Sequence, residues 1–218
     1  MDQRIEIVHE DDAVIVCHKY SGIAVQTAAP GQADMVSELK KHLAKQGGSN
    51  PYLAVIHRLD QPVEGLLVFA KTEAAAAVLS KQVQDHAFTK EYTALVYGKM
   101  PQQQDELTDH LVKDARSNTS RVVSEKDKNG KRSVLHYEVI EETEKTQTLR
   151  ILLKTGRHHQ IRVQLSHAGC PILGDTRYGT EEAKRYASEQ GVRKLCLCAS
   201  RLEFTHPVTG KRMEYSIG

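Results

Sequence analysis

Leu53-Ala-Val-Ile-His-Arg-Leu-Asp-Gln-Pro-Val-Glu-Gly-Leu-Leu-Val-Phe-Ala70 holds two apolar runs, residues 53–56 and 66–70, on either side of a polar loop. Runs this short and this rich in branched side chains read as buried strands. The loop carries His57, Arg58 and Asp60 and ends at Gly65. A strand on each side holds such a loop in a fixed frame, the setting in which reactive side chains tend to lie. A lone aspartate there can be a nucleophile, a base or a simple turn former. Directly after the second run, Thr72 is a suitable N-cap for a helix over Glu73–Gln84, in which Ala76, Leu79 and Val83 recur at i, i+3 and i+7.

Outward from this stretch, residues 5–8 and 13–17 read as short strands around the Glu10-Asp11-Asp12 turn, and the chain turns again at Ser21-Gly22. Residues 34–45 place Met35, Val36, Leu39 and Leu43 at helical spacing behind an Asp34 N-cap, with Gly47-Gly48 as the stop. Residues 88–97 return to strand character. Residues 102–132 are polar, carry an Asp127-Lys-Asn-Gly130 turn signal and predict a flexible arm of short strands. Residues 134–140 and 148–153 alternate as a hairpin, followed by helices over 157–168 and Glu181–Glu189 and strands over 194–198 and 201–204. Strands mixed with a few helices, without regular βαβ alternation, predict an α+β fold in a single domain over residues 1–218.

With 39% hydrophobic and 27% charged residues the composition is that of a folded, soluble chain. The N-terminus lacks a signal-peptide core and no stretch approaches a membrane span, which predicts a cytoplasmic protein with no membrane partner. Cys17, Cys170, Cys196 and Cys198 are too few and too scattered for a disulfide framework. The formal net charge of +2 announces no nucleic acid by itself. Its distribution is more telling. From Lys145 to Gly174 there is no Asp or Glu, while Lys145, Arg150, Lys154, Arg157, Arg162, His158, His159 and His167 all fall there. A local positive surface follows, unless acids such as Glu138, Glu141, Glu142 and Glu144 balance it in space.

Within that window Lys154-Thr-Gly-Arg-His-His-Gln-Ile-Arg162 runs from a strand into a helix start. Free N–H groups and the helix dipole attract anions at such a point, and Arg157 stands where it can reach a carboxylate or phosphate. A capped surface helix with a solvated arginine is the plainer account. The Cys196-x-Cys198 pair and the histidines do not make a metal site: His158 and His159 are adjacent and diverge on a helix, and no zinc-enzyme spacing or second Cys pair is present. Glycine-rich phosphate loops are also missing.

Taken in order, His-Arg-Leu-Asp at 57–60, Gly65-Leu66, Lys90-Glu-Tyr92, Thr155-Gly-Arg-His-His-Gln-Ile-Arg162 and His206-Pro-Val-Thr-Gly210 resemble the RluA-type pseudouridine synthases over nearly the whole chain. The resemblance implies a mixed, largely antiparallel sheet with flanking helices and a central catalytic cleft. It implies an enzyme that isomerises uridine to pseudouridine in structured ribosomal or transfer RNA, with no cofactor, no metal and no obligatory protein partner. Asp60 falls on the catalytic aspartate, Tyr92 on the tyrosine against the target base, and Arg157 on the arginine that pairs with the aspartate. Arg58 falls on a catalytic-loop residue around the extruded nucleotide, and Lys154, Arg162, Arg116 and Arg121 become candidate phosphate contacts. A non-catalytic RNA-binding protein of the same fold is the rival, disfavoured because binding alone does not require Asp60, Tyr92 and Arg157 together.

The chain departs from the pattern in places. Val63-Glu64 stand where Thr-Ser is commoner, Tyr20 stands in place of Pro, and Gln26 in place of His. The accessory S4 RNA-binding domain that many relatives carry in front is expected to be missing.

Overall fold

The computed structural model describes residues 1–29, 31–47 and 50–217. In chain order the elements are β1 (Ile5–Glu10), β2 (Val14–Lys19), α1 (Met35–Lys45), β3 (Ala54–Val55), β4 (Glu64–Ala70), α2 (Glu73–Gln84), β5 (Thr89–Tyr97), β6 (Gln104–Asp114), β7 (Thr119–Val123), β8 (Lys131–Glu142), β9 (Thr146–Leu153), α3 (Gln160–His167), α4 (Glu181–Glu189), β10 (Leu197–Thr205) and β11 (Arg212–Ser216). They gather into two compact units, Met1–Lys90 with the chain from Ala199 onward, and Glu91–Cys198.

In the first unit β1, β2, β4 and β10 lie side by side, with β3 against β4 and β11 against β10. The β1–β2, β2–β4, β3–β4 and β10–β11 ladders are antiparallel. Period-two alternation selects one face: Val14, Val16, Leu66, Val68, Ala70, Leu202 and Phe204 pack with Ala75 and Leu79 of α2 and with Phe88. Each such side chain contributes about 1.5–3 kcal/mol by leaving water. Both helix starts follow the predicted caps. Asp34 Oδ1 accepts from Ser37 N at 2.7 Å, and Thr72 Oγ1 from Ala75 N at 3.1 Å. The expected stop of α1 is met in part: Gln46 is its C-cap and Gly47 takes φ +135°, while Gly48 lies outside the described residues.

In the second unit the strand order is β5-β9-β8-β6-β7, with antiparallel ladders throughout. The strands expected in the polar stretch over residues 102–132 are present and paired: Leu107 pairs Leu135 and Leu111 pairs Val122. Helix α3 starts at Gln160, three residues later than expected, because His159 takes the left-handed φ of +55° and breaks the helical run before it. Elsewhere, β10 is one strand where two short ones were expected, and β11 follows it.

The expected positive surface is balanced in part, as the alternative of nearby acids allowed. Arg150 meets Glu138 at 2.6 Å, Lys154 meets Glu106 at 2.6 Å and Arg162 meets Asp175 at 2.7 Å. Arg157 instead is exposed and donates to Arg132 O, and Lys145 lies over the Tyr186 ring at 5.8 Å. Among the described residues no helix is long and apolar enough to cross a membrane.

Candidate active site

The loop that carries Asp60 spans residues 57–63 in the first unit, between β3 and β4. Leu59 and Val63 are buried on either side of Asp60, which is itself half-buried. Val63 N donates to Asp60 O at 3.0 Å and closes a tight turn over Gln61-Pro62. Burial of the flanking apolar residues and closure of the turn fix Asp60 as its first residue, with Gln61-Pro62 at the crest.

His57 finishes the ladder that β3 begins. Ala54 and Val55 pair Ala70 and Phe69, and the next donor along, Val68 N, reaches His57 Nε2 at 3.3 Å. An accepting Nε2 puts the ring proton on Nδ1, a buried atom without a hydrogen-bond partner. Burial, and then the charge of Lys90, pushes this imidazole down to about 3. His57 is therefore neutral and serves as a strut, edge-on to Phe88. Gly65 follows from geometry as well. At φ +137° a Cβ would stand 2.5 Å from Ala199 N and 2.6 Å from Ala199 O.

Sequence reasoning overlooked Lys19. It is fully buried, and its Nζ donates to the carbonyls of Val63 at 2.6 Å, Gln61 at 2.9 Å and Tyr20 at 3.4 Å. Burial lowers its pKa to about 8, against the negative charges of Asp60 and Glu64, which favour the ammonium. The attraction is mutual, so Lys19 is a cation beside Asp60 that favours the carboxylate form. A strand that stays apolar to Cys17 and then enters a turn was the available signal, but lysine reads as surface by default. Arg58 is exposed, and its Nη2 donates to Gln26 Oε1 at 3.1 Å, so an expected loop residue meets one of the positions where this chain departs from the pattern.

In the second unit Tyr92 is buried on β5 opposite Ile151 of β9. The turn of residues 155–160 is built around Gln160. Its Oε1 accepts from Thr155 Oγ1 at 2.8 Å and Arg157 N at 3.0 Å, while its Nε2 donates to Val134 O at 3.1 Å. Arg157 is exposed and its Nε donates to Arg132 O at 3.3 Å.

Arg162 has a different task from the phosphate contact expected of it. Its side chain is 4% exposed and that of Asp175 is 1% exposed. Arg162 Nε donates to Asp175 Oδ2 at 2.7 Å and its Nη2 to Oδ1 at 2.8 Å, with the Tyr178 ring 5.0 Å from the guanidinium. Burial acts to raise the Asp175 carboxyl, but hydrogen bonds and charge from Arg162, with the N–H groups of Tyr178 and Arg177, hold it below the usual range. Asp175 is the first acid after the acid-free stretch, and that position was its sequence signal. Tyr178 Oη accepts from Ser120 N at 2.8 Å and lies 2.7 Å from His159 Nδ1, so the same knot fixes β7 and the start of α3. Burial, then the charge of Arg162, pushes His159 down to about 3. Lys154 is exposed and paired with Glu106, and Arg116 and Arg121 are exposed on the β6–β7 hairpin.

Comparison with known proteins places this fold. The family model described as RNA pseudouridylate synthase matches residues 13–167. A ribosomal large subunit pseudouridine synthase D of Zymomonas mobilis subsp. mobilis is 34% identical over 98% of this chain and 69% of its own length. The protein of that name in Vibrio cholerae is 36% identical over 98% of this chain and 67% of its own. The solved structure of human RNA pseudouridylate synthase domain containing 1 superposes with a TM-score of 0.79 at 21% identity, over 98% of this chain and 83% of that one, and shows the same α+β fold. The chain belongs to the RNA pseudouridylate synthase family, whose members are RNA-modifying isomerases.

Proposed function

We propose that this protein converts uridine to pseudouridine in ribosomal RNA of the large subunit, in the cytoplasm, with Asp60 as nucleophile and the target nucleotide extruded from its stack. The observation that carries the reading is the setting of Asp60: a half-buried residue that opens a tight turn between buried Leu59 and Val63, in the field of the buried Lys19 cation. Support for the substrate comes from the names of the curated relatives. Transfer RNA is the other structured substrate that the motifs allow.

The chemistry is an isomerisation. The bond from ribose C1′ to uracil N1 breaks, the base turns, C1′ bonds to C5, and the C5 proton leaves as N1 gains one. Oxidation state is unchanged and no co-reactant is consumed. Asp60 must be ionised to trap or stabilise the electron-poor sugar, and burial alone would disfavour that form. Lys19 offsets it. Tyr92 is assigned contact with the base and assistance in removing the C5 proton. The resemblance assigns Arg157 as the arginine that supplies further positive charge to the aspartate. Extrusion costs on the order of a few kcal/mol, which phosphate contacts from Arg58, Lys154, Arg116 and Arg121 offset.

Deletion of the gene and carbodiimide mapping of host ribosomal RNA test this directly. Loss of a pseudouridine stop, restored by the parent protein and not by Asp60→Asn, is the expected result. An unchanged map in ribosomal RNA together with a lost stop in transfer RNA reassigns the substrate, and no change in either removes the proposal.

A further inference from the structure

The segment 18–22 and the residues that follow Asp60 run past each other like a zipper. Gly22 N donates to Gln61 O at 2.9 Å and Gln61 Nε2 returns to Gly22 O at 3.1 Å. Ser21 Oγ donates to Pro62 O at 2.8 Å, and Lys19 Nζ to Val63 O at 2.6 Å. The last rung is made of two side chains, with His18 Nε2 standing 3.0 Å from Glu64 Oε1. Every residue from Gln61 to Glu64 is thus gripped by the opposing segment.

The rung does not end at Glu64. Glu6 lies directly opposite His18 in the β1–β2 ladder, and His18 Nδ1 is 3.7 Å from Glu6 Oε2. The same Glu6 oxygen accepts from Tyr20 Oη at 2.9 Å, and the Tyr20 ring packs 4.2 Å from the His18 ring. His18 is 8% exposed, so its ring is locked between two carboxylates and an aromatic face. Glu64 and Tyr20 are two of the positions at which this chain departs from the pattern it resembles, and here they meet through one histidine. Separate substitutions read from sequence are one physical device.

We propose that His18 and Glu64 are positioning residues for Asp60: their pairing, braced by Glu6 and Tyr20, fixes the exit of the catalytic loop and so the place of the carboxylate. Neither touches the reacting atoms. Other loop carbonyls are held by Lys19, Ser21 and Gly22, so loss of this rung loosens the loop without unfolding the sheet. A misplacement on the order of 1 Å is enough to cost a large factor in rate. The catalytic consequence rests on the function proposed above, whereas the clamp itself does not.

The test measures amide hydrogen exchange over residues 61–65 and, on the same preparations, steady-state release of tritium from uridine-5-³H RNA, for the parent, Glu64→Ala, His18→Ala, their double variant and Glu64→Gln. The expected result is about tenfold faster exchange at the amides of residues 61 and 63–65 in each alanine variant and no further gain in the double variant. Alongside it, kcat falls about tenfold while KM stays within about twofold. Glu64→Gln keeps an oxygen that accepts from His18 and restores most of both. Exchange that is unchanged in the alanine variants overturns the clamp, and faster exchange with kcat unchanged overturns the positioning role. Faster exchange in variants of a parent that releases no tritium upholds the clamp and removes the function reading instead.

Discussion

Replacing Asp175 by asparagine tests whether the Arg162–Asp175 pair is the structural knot that its burial implies. Both side chains are almost wholly withdrawn from water, at 4% and 1% exposure, and are joined by bonds of 2.7 and 2.8 Å. Asparagine keeps an acceptor for Arg177 N and Tyr178 N but removes the charge that compensates the guanidinium. Removing one partner of a buried pair costs about 3–5 kcal/mol, because the other charge is left in a dry setting. At roughly 2–4 °C per kcal/mol for a chain of this size, the melting temperature at neutral pH falls by about 6–20 °C. The pH dependence has a definite sign. The Asp175 carboxyl is held below its usual range, so its stabilisation is complete above the unfolded pKa of about 3.9 and is lost as pH falls through the lower folded value. Melting curves recorded by circular dichroism on both proteins from neutral to acid pH should therefore converge at the acid end. A shift under about 2 °C at neutral pH would refute the reasoning.

Arg157→Ala leaves the fold intact, since its guanidinium is exposed and, among the described residues, donates only to Arg132 O, and it lowers kcat by about 100-fold; a fall under about threefold in single-turnover tritium release reassigns that role to another arginine. Lys19, with a folded pKa of about 8 against about 10.4 unfolded, binds fewer protons in the folded state between those values, so stability rises with pH across that window. Activity moves the other way, because neutral Lys19 holds the carbonyls of Val63 and Gln61 less firmly and the loop that carries Asp60 loosens; kcat/KM declines above about pH 8 in the parent, and the same alkaline limb in Lys19→Met would contradict the assignment. Gly65→Ala drives a Cβ into the Ala199 backbone at a φ of +137° and costs about 3 kcal/mol or more in urea unfolding, whereas a cost under about 1 kcal/mol would show that the strands give way. Exchanging both Arg116 and Arg121 for glutamine raises KM and lowers the slope of log affinity against log salt by roughly 1 per lost phosphate contact, with kcat unchanged; an unaltered slope removes the hairpin from the RNA interface.

Elements with a dry face and a local cap are legible in the sequence. Helices α1, α2 and α4 follow from spaced apolar or small residues behind Asp34, Thr72 and Thr180, each of which caps through its side chain. The β6–β7–β8 ladder is less legible because Asp105, Glu106, Thr108 and Asp109 give β6 no continuous apolar face, and its second partner, β8, comes only after β7 and a polar turn. Strand β11, Arg-Met-Glu-Tyr-Ser, hides because only Met213 and Tyr215 mark its core face. The His-Arg-Leu-Asp loop stands out at once, since chemistry-bearing residues cluster there between two apolar runs. Its supports do not. Lys19 and the His18–Glu64 rung act on residues more than forty positions away, and Asp175 shows its meaning only when Arg162 is found buried against it. Charge counted along the chain similarly hides that Glu106 and Asp175, beside the foreseen Glu138, pair with three of the patch's cations in space.

Release of tritium from uridine-5-³H ribosomal RNA that lacks its modifications, by the purified protein and by its Asp60→Asn variant with no added cofactor or metal, bears most directly on the central claim. Release by the parent and none by the variant is the predicted result. Equal release by both would contradict Asp60 as the nucleophile, and none from ribosomal or transfer RNA, with binding retained, would make the protein an RNA-binding member of its family.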